Sequence, residues 1–191
     1  SVQYRVGGVD VSAAVKAGTF VLRDLAPNEA RTVTVIVSTR RSVPRGTTRV
    51  VWLRSRSTAT SNVDAVRAVV VRPLYSDDQV TVAGQINTSR TSRGLSRLAM
   101  NRTLATKAQG WAQHLAAIGH LEHSDLTAGV PSNWRALAEN VGYYTTLANV
   151  HQAFMDSPGH RANILGPYTQ VGTGIARSGS RVYVVHVFMR T

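Results

Sequence analysis

The run Ser157-Pro158-Gly159-His160-Arg161-Ala162-Asn163-Ile164-Leu165 carries the clearest chemical content in the chain. Ser157 suits a helix cap, and Pro158 suits the first helical position, where a missing N–H costs nothing. Gly166-Pro167 then stops the helix. The spacing predicts a short helix with His160 in its first turn, where the positive end of the helix dipole disfavours an imidazolium ion. Neutral imidazole is the form that ligates metals and accepts protons. Five further histidines, His114, His120, His123, His151 and His186, lie in the same half of the chain. His123 and His160 are too far apart in sequence to form a short metal signature such as His-Glu-x-x-His, and Glu122-His123 does not supply one. The chain has no cysteine, which excludes disulfides, thiolate metal sites and a cysteine nucleophile.

The elements that must position these residues change character midway. From Asp78 onward the apolar pattern is helical. A first helix is predicted from Gln79 to about Thr91, with Val82 and Ile86 on one face. A second carries Leu104, Ala108, Trp111, Leu115 and Ile118 on one face and ends at Gly119. A third runs from Leu147 to Asp156 with Thr146 as its cap. Two strands, Val171–Ala176 and Arg181–Phe188, close the chain around a hairpin loop at residues 177–180. Asn140–Tyr144 reads as a third strand. Gly172 and Gly174 point to close backbone approach in the sheet.

Residues 1–72 read as β structure. Thr32–Val37, Thr48–Arg54 and Val66–Val71 are strand candidates, Phe20–Leu22 is a shorter one, and Ser1–Arg5 is strand-like from the first residue. Turn signals lie at Ala26–Glu29, Val43–Gly46 and Thr60–Asn62. Short strands at this spacing suggest an antiparallel sandwich. The Leu25–Glu29 turn before a Thr/Val strand resembles bacterial immunoglobulin-like repeats. The abrupt start suggests a processed or truncated form with a strand missing upstream. Pro73 marks the joint, and Ser76 or Asp77 caps the first helix after it. The expected organisation is a β-sandwich over residues 1–75 and a second domain over residues 76–191.

The formal net charge is +12. Residues 1–75 hold twelve of the 22 Lys and Arg but only four of the ten Asp and Glu. A basic surface of this kind allows affinity for anionic polymers or lipid head groups. Scattered arginines with few interleaved aromatics argue against nucleic acid. No run is long and apolar enough to span a membrane.

Four segments, Gly119–Asp125, Ala138–Gly142, Ser157–Leu165 and Val171–Ala176, resemble in this order the CAP superfamily in its bacterial SCP-like form. The resemblance covers about residues 77–191. It implies an α-β-α sandwich, hence an α+β chain overall, with a cleft holding two histidines and one or two acids. The motifs place these at His123, His160 and Glu139. The resemblance also implies an exported, extracellular or cell-surface protein. Some members bind a divalent metal at the histidines, and some bind lipids. A second glutamate of the animal members has no counterpart here; Asp156 lies nearby on a different register.

Two imidazoles and a carboxylate can hold Zn²⁺ with a position left for water, or relay protons without metal. His120 competes with His123 for the inward position. Glu139 has the alternative of satisfying backbone N–H groups, and His186 is a spare ligand. Ser124 and Ser157 read as caps and turn formers. The function expected first is a monomeric binding module for a divalent cation such as Zn²⁺, a lipid or a cell-envelope component. A metal-assisted hydrolase using His123, Glu139 and His160 comes second, and a non-catalytic adhesive surface protein third.

Overall fold

The strand-like segment at the start of the chain and the β-branched run at Thr32–Val37 pair with each other in a computed structural model, which describes residues 1–23, 25–26, 29–38, 43–57 and 62–191. The chain divides into two compact units, Ser1–Pro73 and Leu74–Thr191.

In the first unit, β1 (Val2–Val6) is central in a three-stranded antiparallel sheet between β2 (Val9–Asp10) and β3 (Val33–Val37). The β1–β2 turn is Gly7-Gly8, both at positive φ, as a two-residue hairpin loop requires. A short helix, α1 (Ser12–Ala17), comes next and ends on Gly18 at φ 70°. β4 (Thr48–Arg56) and β5 (Val63–Val71) form a separate antiparallel ribbon. The expected turn at Val43–Gly46 is present, with Gly46 at φ 82° and Thr47 N–H donating to the Pro44 carbonyl. The central residues of the other two expected turns, 27–28 and 60–61, lie outside the described residues.

These residues do not show the expected all-β immunoglobulin-like sandwich. The Ala-rich segment after Asp10 is helical, and Tyr4 is the one buried apolar side chain among the described residues of this unit. Phe20–Leu22 is not a strand. The N–H groups of Thr19 and Phe20 both donate to the Ala14 carbonyl, so they finish the helix instead of joining a ladder.

The second unit begins with α2 (Asp77–Thr91), capped by Ser76. The Ser76 hydroxyl accepts from Gln79 N–H while the Gln79 side chain accepts from Ser76 N–H. β6 (Ala99–Met100), α3 (Arg102–Ile118), β7 (Ala136–Tyr144), α4 (Leu147–Asp156), α5 (Pro158–Leu165), β8 (Gln170–Ser178) and β9 (Arg181–Arg190) complete it. The sheet order is β6-β8-β9-β7. β9 pairs antiparallel with β8 and β7, and the two-residue β6 pairs parallel with β8.

Val182–Met189 are all buried, so β9 is covered on both faces. Val182, Val184 and Phe188 join Val82, Ile86, Val150, Phe154 and Ile164 from α2, α4 and α5. Tyr183, Val185, Val187 and Met189 face Leu104, Ala108, Ala112 and Leu115 of α3. The result is a three-layer α-β-α unit, in line with the mixed α/β architecture read from the sequence.

α3 lies directly on β8. A Cβ on Gly172 would overlap the backbone of Leu104 and Ala105, and one on Gly174 the backbone of Ala108 and Gln109. Gly110, on the same helix, has open space around it. Gly174→Ala should therefore destabilise by about 3 kcal/mol or more, since backbone cannot yield as a side chain does. Gly110→Ala should stabilise by about 0.5–1 kcal/mol. Urea unfolding of both variants checks this; equal midpoints would refute the close approach.

Candidate functional site

The loop that carries His123 is tied to α3 from several points. Gly119 ends the helix in the left-handed conformation, at φ 80°. Lys107 Nζ donates to the Asp125 and Ala128 carbonyls at 2.5 and 2.8 Å, and Trp111 Nε1 donates to the Glu122 carbonyl at 3.0 Å. His114 stacks on Trp111 and bonds Glu122 at 2.9 Å. His120 also faces Glu122. The histidine that turns to Glu139 is thus His123 and not His120.

Glu139 lies on β7 with its side chain 1% exposed. Its Oε1 meets His123 Nδ1 at 2.8 Å and accepts Ser124 N–H at 2.9 Å, and its Oε2 accepts the Ser124 hydroxyl at 2.6 Å. These donors compensate the burial of a carboxylate. They also fix a role: with Glu139 accepting at Nδ1, a neutral His123 presents its Nε2 lone pair outward from a ring 63% exposed.

His160 comes from the other layer. Its helix α5 starts at Pro158 with Ser157 in the cap position, although the serine hydroxyl makes no capping bond. Asn140 Nδ2 donates to the His160 carbonyl at 3.0 Å, and Asn163 Nδ2 donates to Asn140 Oδ1 at 2.9 Å. The buried Arg90 guanidinium closes the far end of α5, donating to the Ile164 and Gly166 carbonyls at 2.8 Å each and to Ser96. Residues 139 and 140 are neighbours on a strand and point to opposite faces. Glu139 therefore holds the His123 loop while Asn140 holds α5. Burial, and next the charge of His123, push the His160 pKa below its ordinary value.

His186 sits at the centre of the sheet, 1% exposed. The Phe154 ring packs edge-on against both His160 and His186, at centroid distances of 4.9 and 4.8 Å. Burial, with lesser contributions from His151 and His160, pushes the His186 pKa down to about 3. Its Nδ1 is buried without a hydrogen-bond partner among the described residues. His151 contacts the Ser89 hydroxyl at 2.9 Å, and burial lowers its pKa as well. Asp156 accepts from Gln152 on the exposed side of α4.

Among the described residues, no group of three His, Asp or Glu side chains is arranged to hold a metal ion. Both Glu139 oxygens are already engaged, so a three-ligand zinc set that includes Glu139 does not fit. Glu139 instead bonds His123 from behind its ring. An open basin of about 530 Å³ beside Arg102, Thr106, Lys107 and Gly129 is not lined by any of the three candidate residues. Sequence reasoning missed Ser124 as the second anchor of Glu139 and Arg90 as the clamp on α5. A lone serine beside a histidine and a lone arginine mid-helix carry no signal of such roles.

The cysteine-rich secretory protein family (CAP) matches residues 83–189. Uncharacterized protein YkwD of Bacillus subtilis is 32% identical over 104 residues, or 49% of this chain; the chain spans 40% of that protein's length. Among solved structures, an outer surface protein of Borrelia burgdorferi is similar with a TM-score of 0.53 and 17% identity, covering 60% of this chain and 93% of that one. A cysteine-rich secretory protein of Staphylococcus aureus is similar with a TM-score of 0.51 and 17% identity, covering 100% of this chain and 77% of that one.

The His186 environment has a thermodynamic consequence. Its pKa is about 3 folded and 6.5 in its ordinary state, so between these values the unfolded chain binds more protons. The stability it contributes is complete above pH 6.5 and is lost as pH falls toward 3. The lowered His151 and His160 act with the same sign. In urea unfolding from pH 7 to 4, His186→Phe should remove up to about 1.4 kcal/mol per pH unit from the slope of stability against pH. Superimposable slopes would refute a neutral buried His186.

Proposed function

The chain belongs to the cysteine-rich secretory protein family, and from that premise we propose that its second unit is a ligand-binding domain acting outside the cell or on its surface. Its recognition point is the pair His123 and His160, and its first ligand is a divalent cation. The observation that carries this is the Glu139 carboxylate, buried and bonded to His123 Nδ1. A carboxylate behind a ligating imidazole is how proteins fix the tautomer of a metal-binding histidine and raise its basicity. The lowered His160 pKa supports the same reading, because a ligand lone pair must be free of its proton.

Two imidazoles leave most of a cation's coordination sphere to solvent or to a further ligand. That is the form of a binding site more than of a closed structural one. A bound cation would supply Lewis acidity there. The protein's own residues orient and hold: Glu139 and Ser124 set His123, while Asn140, Asn163 and Arg90 set the helix bearing His160. Glu139 is a poor general base, since both its oxygens already accept hydrogen bonds. Binding therefore stands ahead of hydrolysis. A lipid or cell-envelope component is the second ligand class, and the solvent-facing His123 ring suits a ligand arriving from outside. The export assignment is supported by the outer-surface and secretory names of the Borrelia and Staphylococcus proteins.

Calorimetric titration of the full chain with Zn²⁺ is expected to show about one site per chain. His160→Ala should abolish it. Glu139→Gln should weaken it by about 10–100-fold without abolishing it, as expected for a residue acting through His123. Equal zinc uptake by wild type and His160→Ala would reject the site. Complete loss in Glu139→Gln with the fold intact by circular dichroism would make Glu139 a ligand instead.

A further inference from the structure

We propose that the outward face of the β4–β5 ribbon docks on an anionic lipid bilayer. The register pairs Thr48 with Val71, Val50 with Val69, Trp52 with Arg67, Arg54 with Ala65 and Arg56 with Val63. Cross-strand partners share a face, so these ten side chains form one surface, and all ten are exposed. On the opposite face Val51, Leu53 and Val70 are half-buried, while Arg49, Ser55, Asp64, Val66 and Ala68 are exposed.

An outward sheet face is ordinarily polar. This one presents Val50, Trp52, Val63, Val69 and Val71 at 45–56% exposure. Its charged residues are Arg54, Arg56 and Arg67, with no acidic side chain among the ten. A two-stranded ribbon with an open apolar face is marginal in water alone.

Charge and chemistry together select the occupant. Arginines beside a tryptophan and valines match an interface that is anionic at the head groups and apolar beneath, where tryptophan favours the boundary. A hydrated polyanion would satisfy the arginines and leave the apolar side chains in water. A second copy of the chain would bring the same uncompensated arginines face to face.

The test incubates the full chain with vesicles of phosphatidylglycerol and phosphatidylcholine, and with phosphatidylcholine alone. Co-sedimentation is expected with the anionic vesicles and should weaken as salt rises. The emission difference between wild type and Trp52→Phe should shift to the blue and be quenched by brominated acyl chains. Replacing Arg54, Arg56 and Arg67 together by Ser should weaken binding by about a hundredfold. An equal change of charge at the exposed Arg93, Arg97 and Arg102 should weaken it far less.

Equal losses in the two triple variants would overturn the proposal, as would vesicle binding that leaves Trp52 in water. It is also overturned if soluble polyphosphate competes fully while Trp52 emission stays unchanged, or if light scattering shows a dimer that shields Trp52 without lipid. Failure to bind either vesicle overturns it too.

Discussion

A strand buried on both faces must have a layer on each side, and β9 imposes that demand on the whole second unit. Its residues alternate between two separate cores, so each side has its own packing problem. On one side Val182, Val184, His186 and Phe188 need three helices to cover them. On the other, a single helix suffices because Gly172 and Gly174 on the neighbouring strand let α3 settle onto the sheet backbone. The two histidines come from different layers, since the His123 loop leaves the end of α3 while α5 belongs to the opposite layer.

How far this arrangement is legible in the sequence depends on how each element is punctuated. α4 occupies Leu147–Asp156 as read from the residues, because Thr146 caps one end and Pro158 begins the next helix. α3 is equally legible, since its apolar residues recur at helical spacing and Gly119 stops it. β6 is not legible: two residues paired in parallel with β8 are a product of tertiary placement and not of pattern. The first unit shows the same boundary of inference. Period-two runs identify β3, β4 and β5 as strands, but alternation does not name a strand's partners or the way its sheets pack. The amides at Thr19 and Phe20, bonded to the end of α1, illustrate how a nearby carbonyl overrides an apolar run.

At the site, residue types were readable and their division of labour was not. Nothing in the spacing decides between His120 and His123; the decision is made by Glu122, which holds His114 and His120 on the outside of the loop. Nothing in the sequence says that Glu139 would commit both oxygens to orientation, since that depends on where Ser124 arrives. The two strand neighbours Glu139 and Asn140 become the hinge pin between layers only because β7 lies at the sheet edge, where one face looks to the α3 loop and the other to α5.

Two buried charges anchor the segments that carry His123 and His160, and neither has an opposite charge as its main partner. Glu139 is satisfied by Ser124 and His123, and Arg90 by three backbone carbonyls. A buried charge is costly unless each of its hydrogen-bonding positions is met, and the penalty for misplacing a partner is correspondingly steep. Such groups add little net stability but penalise every alternative placement of the segments they hold. Glu139 does so for the loop after α3, and Arg90 for the end of α5. In a chain with no cysteine to fasten its loops, these hydrogen-bonded ions perform the fastening, and they do it on the two segments whose mutual placement decides whether the two imidazoles can act on one ligand.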